Sequence, residues 1–383
     1  MKPLTSYEWV RGFNYSGWEL ADEAKQKKEF SYALRLQLNN VRIWLNPDQY
    51  EQNPEGYLNQ LIRFVRVGHG MGISTMPILF NGNGLNPDIL KEEYLNGKGG
   101  QYVNDIVGAL KGEPGLFMWD VMNEPSCNDY ILKAKDERED HWENVNDFLH
   151  RLCAMVRSLD PDNAITIGHT YVQDIAPTLN DVDVFCFHDY FSTRRAVRST
   201  YDEAFKISKE SNKPFMNSEM CCLCRANPYD MALDICREYH TGWYLFELMI
   251  VGYWGDVHGI FYEDGTVRDP SIPAAVLGFS RKRTGDRVLP NPNKEGYAQK
   301  GIQMVKDALE EKTEVFHAGR KSIDEVLEAA EFCANLLEGC ELVPMADPPT
   351  AQIERIRKSQ DMQAARKLAY DLARLLQEYC QIL

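Results

Sequence analysis

The chain has 383 residues, with 42 Lys plus Arg against 57 Asp plus Glu, so its formal charge is −15, and 44% of its residues are hydrophobic. Such a composition folds, and the length exceeds the roughly 250 residues of one barrel or α/β domain, so one large domain plus an extension is expected and a small disulfide-stapled module is excluded. The acidic balance also excludes a nucleic-acid partner, since no Lys/Arg cluster extends beyond Arg194-Arg195 or Arg281-Lys282-Arg283 and phosphate neutralisation needs a basic stripe.

The opening Met1-Lys2-Pro3-Leu4-Thr5 carries no apolar signal core, and no run is long enough to span a bilayer, so a cytoplasmic protein without a membrane partner is expected. From residue 12 to about 280, short apolar runs alternate with longer amphipathic ones, the pattern of parallel strands joined by helices. The predicted strands begin with Gly12–Tyr15, Val41–Leu45, Ile73–Phe80 and Leu116–Met122. They continue with Ala164–Gly168, Val184–His188, Pro214–Ser218 and Met249–Trp254. Helices are predicted over Ala21–Leu38, Gly56–Met71, Trp142–Leu159, Tyr201–Ser211 and Tyr229–Phe246. Eight strand–helix units in this length match an α/β fold, the (β/α)8 TIM barrel. A doubly wound sheet is the rival, but Gly82-Asn83-Gly84 lacks the rest of a phosphate-binding fingerprint.

Near Pro290-Asn291-Pro292-Asn293 the alternation gives way to helical segments. The expected division is a catalytic barrel over residues 1–285 and an α-helical C-terminal extension over 286–383. The stripes Ile323, Val326, Leu327, Ala330, Cys333, Leu337 and Ala365, Leu368, Ala369, Leu372, Leu375 have helical spacing. Each suits packing on the barrel or, as the alternative, a homo-oligomer contact. Cys221-Cys222-Leu223-Cys224 resembles half of a zinc site, but no second cluster completes it, so these residues are read as thiols and no metal or organic cofactor is expected.

A barrel places its chemistry at the carboxyl ends of its strands, and polar residues gather at those addresses. Arg42 lies in the second strand, Asn81 and Asn83 follow the third, Asn123-Glu124-Pro125 the fourth, and His169 the fifth; then come His188 and Tyr190, Glu219, and Trp254. Two glutamates stand out, because Glu124 and Glu219 each terminate an apolar strand. A carboxylate at the end of a strand buried on both faces is half desolvated and close to the barrel axis. Glycoside hydrolysis uses such a pair, one carboxyl protonating the leaving oxygen and the other attacking or activating water. Trp9, Tyr15, Trp18 and Trp44 stand near early strand ends and are candidates either for the core or for further sugar subsites.

Trp119-Asp120-Val121-Met122-Asn123-Glu124-Pro125, with Ser218-Glu219, Arg42, His188-Asp189-Tyr190, Trp254 and Asp264-Gly265-Thr266-Val267-Arg268-Asp269-Pro270, resembles the retaining glycoside hydrolases of clan A. Within that clan the chain is similar to glycoside hydrolase family 5, the cellulase-like enzymes. The resemblance implies hydrolysis of β-linked oligosaccharides or glycosides by double displacement, with Glu124 as acid/base and Glu219 as nucleophile. It further implies that Asn123 binds the sugar 2-hydroxyl, that His188 binds sugar or orients its neighbours, and that Trp254 is the stacking floor. Where the family places a histidine after the third strand, this chain has Phe80-Asn81-Gly82-Asn83, and an asparagine would serve as the hydroxyl ligand. Arg42 and Tyr190 are expected to lower the pKa of Glu219, while an apolar strand and the neighbouring negative charge raise that of Glu124. Alternatives are an endo-acting cellulase, mannanase or xylanase-like enzyme, an α-L-arabinofuranosidase, or a catalytically silent carbohydrate-binding barrel.

Overall fold

The computed structural model describes residues 2–222, 227–278, 322–339 and 349–382. Eight parallel strands close into a barrel in chain order: β1 (Arg11–Asn14), β2 (Asn40–Trp44), β3 (Ser74–Asn81), β4 (Trp119–Asn123), β5 (Ile165–His169), β6 (Phe185–Asp189), β7 (Phe215–Met220) and β8 (Gly242–Leu245). Helices run between them, among them 23–35, 54–70, 98–110, 138–159, 194–211 and 229–238. Their starts are chemically marked. The Asp22 carboxylate accepts a hydrogen bond from the Lys25 amide, and the Asn53 side chain accepts one from the Gly56 amide just after Pro54 sets the first helical φ, satisfying amide donors that a helix start leaves open.

Side chains alternate across each strand, so one set faces the helices and the other fills the barrel. Toward the amino-terminal end that interior is a cluster including Tyr7, Met76, Phe117, Met118, Cys186, Met216 and Tyr244. Tyr244 lies inside because Gly12 makes room for it; a Cβ there would sit 2.2 Å from its ring. The Tyr244 hydroxyl donates to Asn40 Oδ1 at 2.7 Å. Above this apolar plug come buried Asn14, Arg42, Asp120 and Ser218. The packed lower half thus leaves the carboxyl ends of the strands as the polar, chemically usable end.

One strand lies elsewhere than expected. β8 is Gly242–Leu245 and pairs with β1 through Arg11↔Trp243 and Phe13↔Leu245, whereas Met249–Trp254 comes after it. The helix predicted to reach Phe246 ends at Glu238. The apolar run from Gly242 to Trp254 is broken only by Glu247 among charged residues, and such a run does not show where a strand begins. The helix 98–110 was absent from the predicted set.

The structure divides into two compact units, one of residues 1–192 with 196–280 and one of 193–195 with 281–383. The expected boundary at 285/286 and the Pro/Asn linker lie outside the described residues. In the second unit the helices Ile323–Gly339, Pro349–Ser359 and Met362–Ile382 build their own core, with Val326, Leu327, Ala330 and Cys333 packed with Ile353, Ala365, Leu368, Ala369 and Leu372. Among the described side chains, the two apolar stripes pack with each other. Among the described residues, no helix is long and apolar enough to cross a membrane.

Candidate active site

Arg42 organises the polar end of the barrel. It is fully buried, as is Asp120. Its Nε donates to Asp120 Oδ2 at 2.9 Å, Nη1 to Asn14 Oδ1 and to Glu219 Oε2 at 3.1 Å each, and Nη2 to Asn123 Oδ1 at 2.8 Å. Asp120 also accepts the Gly168 amide at 3.0 Å. A buried guanidinium and carboxylate are tolerable only because nearly every donor and acceptor is matched. Gly168 supplies the room, since a Cβ there would lie 2.4 Å from Arg42 Nη2.

Glu124 follows β4 with φ 44°, a left-handed backbone that turns its side chain into the mouth. Its amide donates to the Gly168 carbonyl at 2.7 Å. Gly82 packs on the other side, where a Cβ would lie 2.1 Å from the Glu124 carbonyl oxygen. The carboxylate has two side-chain partners: His188 Nδ1 is 2.8 Å from Oε1, and Asn83 Nδ2 donates to Oε2 at 3.0 Å. Glu219 lies in β7 within an irregular pairing that spans Asn217 to Met220, and such irregularities re-aim side chains. Its Oε1 accepts the Tyr190 hydroxyl at 2.8 Å and its Oε2 accepts from Arg42.

The expected order of acidities is reversed. Burial opposes ionisation of Glu124, but the hydrogen bond and charge of His188 and the Asn83 amide outweigh it and hold the carboxyl down at about 2. Glu219 is raised, chiefly by burial and further by the charge of Glu124, against the pull of His188, Arg42 and Tyr190. Two contacts account for the reversal. His188 places one proton on a hydrogen bond shared with Glu124, and Arg42 divides its charge between Glu219 and Asp120.

The remaining expected residues are dispersed. Asn123 Nδ2 donates to Asn81 Oδ1 at 3.0 Å, so Asn81 supports Asn123 while Asn83 reaches Glu124. Trp254 stands in the short helix Tyr253–Asp256 with 45% of its surface exposed, on the segment after β8. The residue directly after β8 is Phe246, buried edge-on against Trp44 and His258 at 5.8 and 4.7 Å. Trp9 packs edge-on against Phe117 at 5.7 Å, beside the amino-terminal plug and opposite the site. Tyr15 and Trp18 belong to the core with Phe30 and Phe64. Trp44 lies 5.3 Å from the Arg42 guanidinium carbon, which makes it the one member of that set beside the polar cluster. His169 is buried, bonded to Thr178 and pushed down to about 3 by desolvation, a core histidine.

Four contributors were not assigned from the sequence: Asn14, Asp120, Asn83 as a partner of Glu124, and Glu247. Glu247 is 1% exposed, accepts the Ser16 amide at 3.3 Å and is pushed up to about 7 by burial. Its lone charge inside the run 242–254 was the available signal. Among the described residues, one oxygen of Glu124, one of Glu219 and a ring nitrogen of His188 lie within 4.8 Å of one another. That spacing would suit a cation, but the adjoining Arg42 charge opposes one and His188 Nδ1 is already committed to Glu124. Cys221 and Cys222 are buried beside the end of β7; Cys224 lies outside the described residues.

Two carboxyl groups with hydrogen-bond donors on a barrel mouth can transfer protons and attack an acetal carbon. The β-glucuronidase of Homo sapiens is 24% identical over 175 residues, 43% of this chain but only 23% of the relative. The endo-1,4-β-mannanase of Rhizomucor miehei has a similar structure, with TM-score 0.57 and 14% identity over 71% of this chain and 93% of that one. An exo-β-1,4-mannosidase from Opitutaceae bacterium strain TAV5 gives TM-score 0.56 and 17% identity over 70% of this chain and 58% of that one. At these identities the structural likeness carries the barrel fold. The profile of Cellulase (glycosyl hydrolase family 5) matches residues 10–250, and the chain belongs to that family.

Proposed function

We propose that this chain is a glycosidase that cleaves β-linked oligosaccharides or glycosides with retention, Glu219 acting as nucleophile and Glu124 as acid/base. The observation that carries the reading is the approach of the two carboxyl groups, whose nearest oxygens lie within 4.8 Å. Retention works at a carboxyl separation of about 5–5.5 Å, whereas inversion needs roughly 6.5–9.5 Å to admit a water.

Glu219 attacks the anomeric carbon as the glycosidic C–O bond breaks, and Glu124 passes a proton to the leaving oxygen. That proton is the one in the hydrogen bond between Glu124 and His188, and the proton that Glu124 later takes from water restores that bond. Arg42 and Tyr190 hold the two oxygens of Glu219 and so aim the nucleophile. Once Glu219 is a neutral ester, Glu124 is relieved of its repulsion and takes a proton from water, whose oxygen attacks the anomeric carbon and frees Glu219. Asn123, oriented by Arg42 and Asn81, would meet the 2-hydroxyl. Buried thiols such as Cys153, Cys186 and Cys236 suit a reducing compartment, in keeping with a cytoplasmic enzyme acting on short glycosides.

The test is a panel of aryl β- and α-glycosides and natural oligosaccharides, β-1,4-mannosides first, assayed with wild type, Glu124→Ala and Glu219→Ala. Azide is expected to rescue Glu124→Ala with a β-glycosyl azide and Glu219→Ala with an α-glycosyl azide. The opposite pattern reverses the roles. Absence of turnover on every substrate would leave a silent binding barrel.

A further inference from the structure

Beyond β8 one buried side chain joins two of the segments that frame the site. His258 presents Nδ1 to two backbone carbonyls, those of Cys221 and Phe246, at 3.1 Å each. Carbonyls only accept, so this nitrogen carries a proton and donates to both. Cys221 stands two residues past Glu219, and Phe246 directly follows β8. One N–H thereby fastens the end of the strand that carries Glu219 to the end of its neighbour.

The His258 ring also meets three aromatic rings. Phe246 and Trp254 pack edge-on against it at 4.7 and 5.9 Å, and Tyr190 does so at 5.6 Å with the planes inclined by 68°. Tyr190 is the residue whose hydroxyl donates to Glu219 Oε1 at 2.8 Å. The segment that carries His258 is itself held. The His258 amide donates to the Trp254 carbonyl at 2.9 Å, and the Arg268 guanidinium donates to the carbonyls of Gly255 and Asp256. Arg268 belongs to the run 264–270, to which the carboxylate cluster gives no role.

We propose that His258 is a positioning residue for the nucleophile: its ring backs Tyr190 and so keeps the phenol hydroxyl on Glu219. This rests on Glu219 being the nucleophile. The contacts run from Arg268 through the short helix Tyr253–Asp256 and His258 to Tyr190, and they end on the carboxylate oxygen that Arg42 does not hold. Attack on an anomeric carbon needs one line of approach, and a carboxylate held at a single oxygen swings about that contact and is aligned less of the time.

The test separates the ring from the backbone bonds. His258→Asn places an amide nitrogen where Nδ1 stands, so donation to the two carbonyls is kept while the ring beside Tyr190 is removed; His258→Gln repeats the comparison with a longer arm. Wild type, His258→Asn, Tyr190→Phe and the double variant are compared in kcat/KM on the preferred β-glycoside and in the ¹³C titration of the Glu219 carboxyl, assigned with Glu219→Gln. The groups that act on Glu219 are Arg42, His188, Glu124, Tyr190 and Glu247, and withdrawal of the Tyr190 donor raises its pKa. For His258→Asn a fall of about fivefold in kcat/KM is expected, the range of one aromatic contact. Its Glu219 titration should move upward, as in Tyr190→Phe. Added to Tyr190→Phe, it should change neither readout further, within about twofold in rate. An unmoved titration, or a loss of equal size in the Tyr190→Phe background, overturns the proposal. If wild type turns over no glycoside, the glycosidase reading fails, and the titration alone decides whether His258 acts through Tyr190.

Discussion

His188 Nδ1 lies 2.8 Å from Glu124 Oε1 and 3.7 Å from Glu219 Oε2, so one ring nitrogen faces both carboxylates. A single proton there stabilises negative charge on each, and its closer partner gains more. This relationship sets Glu124 low and leaves Glu219 high.

Replacing His188 by Asn should therefore raise the Glu124 carboxyl from about 2 to its ordinary value or above, since burial then meets only Asn83 and the more distant Arg42. Carboxyl ¹³C titration, assigned with Glu124→Gln, would read this directly; an unmoved Glu124 signal contradicts it. The linkage has a definite sign. A depressed carboxyl contributes stability that is present above its unfolded pKa and lost as pH falls toward 2. Below about pH 4.5 wild type should lose stability faster than Glu124→Gln.

Gly82→Ala should cost about a hundredfold in kcat, because its Cβ meets the Glu124 backbone at 2.1 Å and displacements near 1 Å carry penalties of that order. Gly70→Ala, with nothing within 4 Å, is the control and should retain full activity. Comparable kinetics for the two variants would show that Gly82 does not position Glu124.

Arg42→Met should destabilise by about 3–5 kcal/mol, the usual consequence of breaking a buried ion pair from one side, because it strands Asp120 and removes a donor from Glu219. Urea denaturation measures it. A loss below about 1 kcal/mol would mean that water reaches the cluster.

Asp189 and Glu247 are both pushed up to about 7 by burial. An acid with a raised folded pKa binds more protons folded than unfolded, so stability falls as pH rises from about 4 to 7 and is level beyond. Each contributes on the order of 2–4 kcal/mol to that fall. Asp189→Asn and Glu247→Gln should each flatten the wild-type decline in this window, followed by thermal melts across pH; unchanged slopes would contradict the burial argument.

The strands that end in Glu124 and Glu219 were legible because their apolar runs are bounded by turn residues, and the paired glutamates followed from the barrel's geometry. β8 was not, because the run from Gly242 to Trp254 carries no period that separates strand from loop. Trp254, expected at its end, therefore stands on the segment that follows, and Phe246 and Glu247, directly after β8, were not singled out. The hydrogen bond of His188 to Glu124, and the choice of Asn83 over Asn81 as its second partner, depend on which way side chains turn above the strand ends. Spacing along the chain does not encode that.

The most direct measurement uses a 2-deoxy-2-fluoro glycoside with a good leaving group, which slows hydrolysis of any covalent intermediate, followed by mass spectrometry of the peptides. One fluoroglycosyl group on Glu219, with loss of activity in step, is the predicted result. Labelling of Glu124 instead, or a product of inverted configuration from unmodified substrate, would contradict the assignment.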